Sequence, residues 1–96
     1  MKEIERNQQI RDEDIWDMLK LTQVHPELLD EVIYATNERL SERNERIFDY
    51  YLAGYKMFFI STLFKLGGRA THQICRKIMV QLIDMAQNRN LFYKPK

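Results

Sequence analysis

Few residues in this chain have types and spacings that could support chemistry. His72 and Cys75 are three positions apart, so on a helix they would share one face, as two ligands of a metal ion must. A zinc site takes four ligands, however, and the other histidine, His25, lies far away in the sequence. We therefore predict no metal site, with Cys75 a small buried residue and His72 a partly exposed one.

Signatures of catalysis are also missing from the sequence. Gly67 and Gly68 lack the further glycines of a phosphate-binding loop, and no serine stands with a histidine and an acid in a recognisable pattern. One run of alternating charges could line a small-molecule pocket, but it is explained more simply by helical ion pairs three or four residues apart. Its members are Glu38, Arg39, Glu42, Arg43, Glu45 and Arg46. We predict a non-enzyme without a cofactor.

The distribution of charge divides the chain into two halves. Residues 1–49 carry thirteen acidic residues against seven Lys or Arg, whereas residues 50–96 carry eight Lys or Arg against the single acid Asp84. The net charge of +1 conceals this division, and it is lower than that of most dedicated nucleic-acid binders. The two halves could pair within one fold or attract oppositely charged partners.

Length and composition fit one globular domain over residues 1–96, of which 45% are apolar and 30% charged. Residues 1–11 either extend the first helix or fray, and residues 90–96 form a tail. The polar start has no apolar leader segment, and charges interrupt the most apolar stretch, residues 47–66, so we predict no membrane span. The lone Cys75 favours a reducing compartment, and we expect a cytoplasmic protein.

No segment alternates apolar and polar residues as a strand would, so the pattern predicts an all-α fold. The first helix is expected from Asp12 or Asp14 to about Thr22, with one of these carboxylates as its cap. Pro26 suits the first position of the next helix. Gly67 and Gly68 are expected to end the preceding helix with a left-handed glycine cap. The last helix is expected from about Arg69 or Thr71 to Asn88.

The segment between Pro26 and Gly67 has two interpretations. It is either one helix of about forty residues or two helices hinged near Ser41, which could cap the second. Its apolar stripe is Leu29, Ile33, Thr36, Leu40, Ile47, Tyr51, Tyr55, Phe58 and Thr62. We predict a small antiparallel bundle of three to four helices, with an aromatic helix at its centre and a basic helix against it.

Aromatic residues concentrate in residues 48–64, which hold seven of the eleven in the chain. A helix that is apolar nearly all round needs cover on more than one side. It is therefore either the central helix of the bundle, or a helix with one side in the core and the other side on a dimer or partner interface. The predicted interface aromatics are Tyr50, Tyr55, Phe59, Phe92 and Tyr93, of which the last two lie in the tail. The tail either folds back on the core or projects as an anchor.

The last helix is amphipathic, with an apolar side that includes Ile78 and Leu82. Its basic face has four possible interpretations. It is exposed to solvent, pairs with acidic residues of the first half of the chain, contacts another protein, or contacts nucleic-acid phosphates. The predicted contact residues are Arg69, Gln73, Arg76, Lys77, Arg89 and Lys94.

The function predicted from these features is a small non-enzymatic interaction module that acts as a regulator, inhibitor or assembly factor by binding another protein. A homodimer is expected, because a short bundle has few elements with which to cover an aromatic helix. The alternative is a DNA- or RNA-binding regulator that places the basic helix on phosphates. The sequence leaves open whether the basic face is free or paired with the acidic half.

Overall fold

The computed structural model describes residues 10–89, and within them it contains five α-helices and no strand. They are α1 (Asp12–Val24), α2 (Pro26–Asn37), α3 (Glu42–Leu52), α4 (Met57–Leu63) and α5 (Gly68–Asn88). The all-α class and the small helical bundle are thereby confirmed. The number of helices exceeds the predicted three to four because the chain turns twice between Pro26 and Gly67.

Three helices begin as the sequence predicts. The Asp14 carboxylate accepts a hydrogen bond from the Arg11 backbone N–H at 2.9 Å, which satisfies a donor just before α1. Pro26 occupies the first turn of α2. The Ser41 hydroxyl accepts from the Asn44 N–H at 3.2 Å and caps α3, so the hinge near Ser41 is confirmed and the forty-residue helix is wrong.

The second turn, at Gly54, was not predicted. Gly54 has φ +95°, a left-handed conformation that side-chain-bearing residues rarely adopt, and it ends α3 in a Schellman motif. The Tyr55 N–H donates to the Tyr50 carbonyl and the Gly54 N–H to the Tyr51 carbonyl, both at 3.1 Å. Because the helix stops here, the predicted stripe loses its phase, and Phe58 lies exposed instead of buried.

A Schellman motif also ends α4, but not at the predicted glycines. Lys65 takes the left-handed position with φ 56°, and the Leu66 N–H donates to the Ser61 carbonyl at 2.9 Å. Gly67 has φ −67° and is the extended N-cap of α5. The predicted glycine cap is therefore wrong, since these glycines begin a helix and do not end one.

The centre of the bundle is α5, which contacts each of the other four helices. Its buried residues are Thr71, Cys75, Ile78, Met79, Leu82, Ile83 and Ala86. The larger cluster of buried residues joins α5 to Met18 and Leu19 of α1, Leu29 and Val32 of α2, and Phe48 of α3. The predicted arrangement, with the aromatic helix central and the basic helix against it, is wrong.

A smaller buried cluster lies where α3, α4 and α5 meet. It consists of Ile47, Ile60 and Cys75, with Tyr50, Met57 and Phe64 among the half-buried residues around it. Only Ile60 and Ser61 of α4 are buried. The helix is consequently anchored along one side, and Phe58, Phe59, Thr62 and Leu63 are exposed on the other.

Candidate interaction surfaces

The structure brings three of the predicted interface aromatics together at the turn between α3 and α4. The Tyr50 ring contacts Tyr55 edge to face at 5.2 Å between centroids, and Tyr55 stacks on Phe59 at 5.2 Å. Tyr50 also contacts Phe59 and Phe64, each at 6.0 Å. The Tyr50–Tyr55 contact joins the two residues whose backbones close the Schellman motif, so the turn at Gly54 builds the cluster. Phe92 and Tyr93 lie outside the described residues.

The outward side of α4 and Tyr55, two positions before the helix, form an apolar surface, here called the α4 face: Tyr55, Phe58, Phe59 and Leu63. Phe58 is 81% exposed, and the other three are between 44% and 49% exposed. The helix contains no charged residue, while Lys56 precedes it and Lys65 follows it. The α4 face is thus an uncharged aromatic patch with a lysine at either end.

The predicted basic face of α5 is divided by the fold. Arg69, Gln73 and Lys77 are exposed. Arg76 turns towards α1, where it forms an ion pair with Asp12 and donates to the Ile10 carbonyl at 3.0 Å. Arg89 forms an ion pair with Glu31 at 3.3 Å. Lys94 lies outside the described residues.

These two ion pairs answer the question of how the charged halves of the chain are used. Arg76 and Arg89 each contact a carboxylate from the acidic half, so part of the basic face pairs within the fold. Such surface pairs add at most about 1 kcal/mol of stability each. The pairs also reduce the number of cations that could contact a partner. Of the predicted cations within residues 10–89, only Arg69 and Lys77 are exposed and form no ion pair.

A groove of about 590 Å³ lies beside α1. One wall is a stripe along that helix, and the opposite wall comes from Tyr51, the turn after α3, and α5. The lining residues are Asp12, Ile15, Trp16, Leu19, Lys20, Gln23, Tyr51, Gly54, Tyr55, Lys56, Met57, His72 and Arg76. Tyr55 belongs to both the groove and the α4 face. The exposed residues Arg39, Arg43 and Arg46, considered for a pocket, do not line the groove.

Cys75 and His72 lie in different environments despite sharing a turn of α5. Burial among apolar side chains raises the pKa of the Cys75 thiol to about 11, and burial also raises the pKa of Tyr51, with a smaller contribution from Cys75. His72 is exposed at the groove. Among residues 10–89, no group of three or more His, Cys, Asp or Glu side chains is placed to hold a metal ion.

Several exposed side chains at these surfaces are not among the contact residues predicted from the sequence. Trp16 is 61% exposed and lines the groove. Phe58 and Leu63 belong to the α4 face, although Phe58 was predicted only as part of the apolar stripe. A signal for the groove was present in the spacing of Asp12, Ile15, Trp16, Leu19, Lys20 and Gln23, which marks one continuous stripe on a helix.

None of the helices in residues 10–89 is both long and apolar enough to cross a membrane. No protein-family model, no curated protein and no solved structure matches this chain.

Proposed function

We propose that this protein is a small non-enzymatic interaction module that acts as a regulator, inhibitor or assembly factor by binding another protein through the α4 face. The observation that carries the proposal is the exposure of Phe58, at 81%, in a helix without a charged residue. Contiguous exposed apolar surface of this kind marks interaction sites in soluble proteins. A cytoplasmic location, predicted from the sequence, is part of the same proposal.

The composition of the α4 face suits an energetically concentrated contact. Complete burial of an exposed Phe or Leu side chain is worth about 1.5–3 kcal/mol, so Phe58 and Leu63 could supply much of a binding free energy. Lys56 and Lys65 flank these anchors, and no acidic residue occurs between Asp49 and Asp84 in the sequence. A partner with an acidic rim around an apolar pocket is therefore favoured, because opposite charges steer and orient association.

A homodimer is one form of this proposal. Two α4 faces in direct contact would bring the lysines of one copy near those of the other, which opposes association. A second copy fits the charge pattern better if its acidic half, residues 1–49, meets the α4 face. Concentration-dependent sedimentation of the wild-type protein measures this self-association.

The proposal assigns no nucleophilic role to the buried thiol of Cys75. A raised pKa of about 11 keeps Cys75 protonated at neutral pH, and the thiol is a much weaker nucleophile than the thiolate. Cys75 is also 1% exposed, so a substrate has no direct access to its sulfur atom.

Nucleic-acid binding through α5 is the second proposal, carried by the exposed cations Arg69 and Lys77. It ranks below protein binding because Arg76 and Arg89 already contact carboxylates. Labelled duplex DNA and single-stranded RNA at low salt test it with an Arg69→Glu/Lys77→Glu variant. Binding that weakens steeply with salt and is lost in the variant would favour phosphate contacts.

The decisive experiment for the α4 face compares three immobilised proteins as baits in a lysate of the source organism. They are the wild type, the Phe58→Ser/Leu63→Ser variant and a matched Val24→Ser/Leu28→Ser control. Val24 and Leu28 are 66% and 54% exposed but lie at the α1–α2 connection, so the control removes similar apolar area elsewhere. Circular dichroism and urea unfolding first establish that all three are folded.

We expect a protein that the wild type and the control both retain and that the α4 variant loses at least tenfold, the ratio that corresponds to about 1.4 kcal/mol. Equal retention by the wild type and the α4 variant would contradict the proposal. Loss in the control alone would move the interaction surface to the α1–α2 connection.

A further inference from the structure

The groove beside α1 has the size and boundaries of a ligand site. Its volume of about 590 Å³ lies within the range of about 300–1,000 Å³ that small-molecule sites occupy. The ion pair between Asp12 and Arg76 lies at one end of the stripe on α1. At the other end, the Gln23 side-chain nitrogen is 3.1 Å from the position that a Cβ on Gly54 would take. Asp12 and Gln23 are eleven positions apart on the helix, which corresponds to about 16 Å.

Between these ends the wall of the groove is apolar except for Lys20 on α1. Ile15 and Leu19 are buried residues of α1 that contribute to it, and the half-buried Tyr51 and Met57 contribute from the other side. Trp16 and Tyr55 are more exposed, at 61% and 49%, and would be covered by a bound molecule. An elongated apolar group along this wall would therefore bury both aromatic rings and replace their contact with water.

The charged residues of the groove are not balanced. Lys20 lines the groove from α1, and Lys56 lines it from the position just before α4. Neither lysine has a carboxylate within ion-pair distance among residues 10–89. The one acidic lining residue, Asp12, already pairs with Arg76. His72, also at the groove, adds a further potential donor. The groove thus offers two unpaired lysines to a ligand, whereas its one carboxylate, that of Asp12, is already paired with Arg76.

We infer that the groove binds a small amphipathic anion, with an elongated apolar body along Ile15 and Leu19 and a terminal carboxylate held by Lys20 and Lys56. Burial of the apolar body supplies most of the affinity, and the two lysines select the sign of the headgroup. This inference does not depend on the proposed function, because Phe58 and Leu63, the anchors of the α4 face, do not line the groove, although Tyr55 and Lys56 lie at both surfaces.

Trp16 makes the test direct, since it is the one tryptophan of the chain and lines the groove. Its fluorescence is recorded during titration of the full-length protein with decanoate, below the concentration at which micelles form. Decyltrimethylammonium, which has the same chain length and the opposite charge, is titrated in parallel. We expect a saturable change with decanoate and an affinity for the cation that is weaker by about tenfold, from two surface-type ion pairs gained or lost.

The charge-reversal variant Lys20→Glu/Lys56→Glu should exchange the two preferences and bind the cationic amphiphile more tightly. The matched control, Arg69→Glu/Lys77→Glu, makes the same change in net charge on exposed α5 residues and should preserve the preference for decanoate. If the charge-reversed protein does not fold, Lys20→Gln/Lys56→Gln replaces it and should bind both amphiphiles equally.

Two results would overturn the inference. The absence of a saturable response to decanoate would exclude the ligand class, and equal wild-type responses to both amphiphiles would show that the groove selects no charge. Neither result affects the test of Phe58 and Leu63, so the two proposals can fail separately.

Discussion

Composition alone would predict that the uncharged helix α4 is more buried than the charged helix α5, but the structure shows the reverse. α4 contains seven residues without a charge, yet only Ile60 and Ser61 are buried and Phe58 is 81% exposed. α5 contains charged residues along its length, yet it contacts all four other helices. The comparison shows that the position of an apolar stripe and the length of a helix decide burial here, whereas total hydrophobicity does not.

Geometry explains the difference between the two helices. With 21 residues, α5 is about 32 Å long, close to the 38 Å maximum extent of the fold, so every other helix can pack against it. Its buried positions follow a three- and four-residue spacing, while its charged side chains lie outside that stripe. α4, about 10 Å long, has room for one narrow contact.

The largest expected effect compares one large-to-small substitution in each helix. Leu82→Ala removes a completely buried side chain from the centre of α5 and should lower the free energy of unfolding by about 2–5 kcal/mol. Phe58→Ala removes a larger but exposed side chain from α4 and should change it by no more than about 0.5 kcal/mol. Urea unfolding at equilibrium measures both values under one set of conditions.

An equally large loss of unfolding free energy for Phe58→Ala would contradict this contrast, because it would mean that the Phe58 side chain is buried in solution. Repeating the measurement over a range of protein concentrations identifies the cover. A stability that rises with concentration in the wild type, but not in Phe58→Ala, would assign it to a second copy.

A smaller effect is expected at the turn that separates the aromatic residues of α3 from α4. Gly54→Ala forces a side chain into φ +95° and against the Gln23 side chain, so it should destabilise the fold by about 1–2 kcal/mol. Gly68→Ala is the matched control in the first turn of α5, where a Cβ would meet nothing within 4 Å. It should be neutral or stabilising by up to about 1 kcal/mol. Thermal unfolding of both variants gives the comparison, and equal losses would contradict it.

The helix starts could be predicted because single side chains determine them locally. Pro26 has a fixed φ that suits the first turn, and the Ser41 hydroxyl reaches the Asn44 N–H whatever the rest of the fold does. The end of α4 could not be predicted in this way. Lys65 adopts φ 56°, a conformation that a lysine rarely takes, so it carries none of the sequence signal that a glycine gives at this position. Gly54 gave the signal, but it lies in an apolar stretch that otherwise fits a continuous helix.

The candidate site was predictable in its chemistry and not in its geometry. Tyr50, Tyr55 and Phe59 were selected as aromatic residues in excess of what a small core needs, and the structure places them in one cluster. The groove depends on which helix faces the turn at Gly54, a tertiary relation that no local pattern contains. The pairing of Arg76 with Asp12, 64 residues apart in sequence, is unpredictable for the same reason.

The smallest expected effect concerns the charges of α5. Arg76 contacts both Asp12 and the Ile10 carbonyl, whereas Lys77 is exposed and forms no ion pair among residues 10–89. Arg76→Met should therefore destabilise the fold more than Lys77→Met, which serves as the matched control on the neighbouring position. A double-mutant cycle with Asp12→Asn should give a coupling of about 0.2–1 kcal/mol that declines at high salt, because the pair lies at the surface.

The cycle also separates two contributions of Asp12. This residue lies in the first turn of α1, where a carboxylate stabilises the helix without any partner, so Asp12→Asn alone costs more than the ion pair is worth. That helix contribution is the same with or without Arg76 and cancels in the coupling. A coupling of zero, with Arg76→Met still more damaging than Lys77→Met, would assign the role of Arg76 to its hydrogen bond with Ile10. Equal losses for the two methionine variants would instead show that the charged side chains of α5 are energetically alike, paired or exposed.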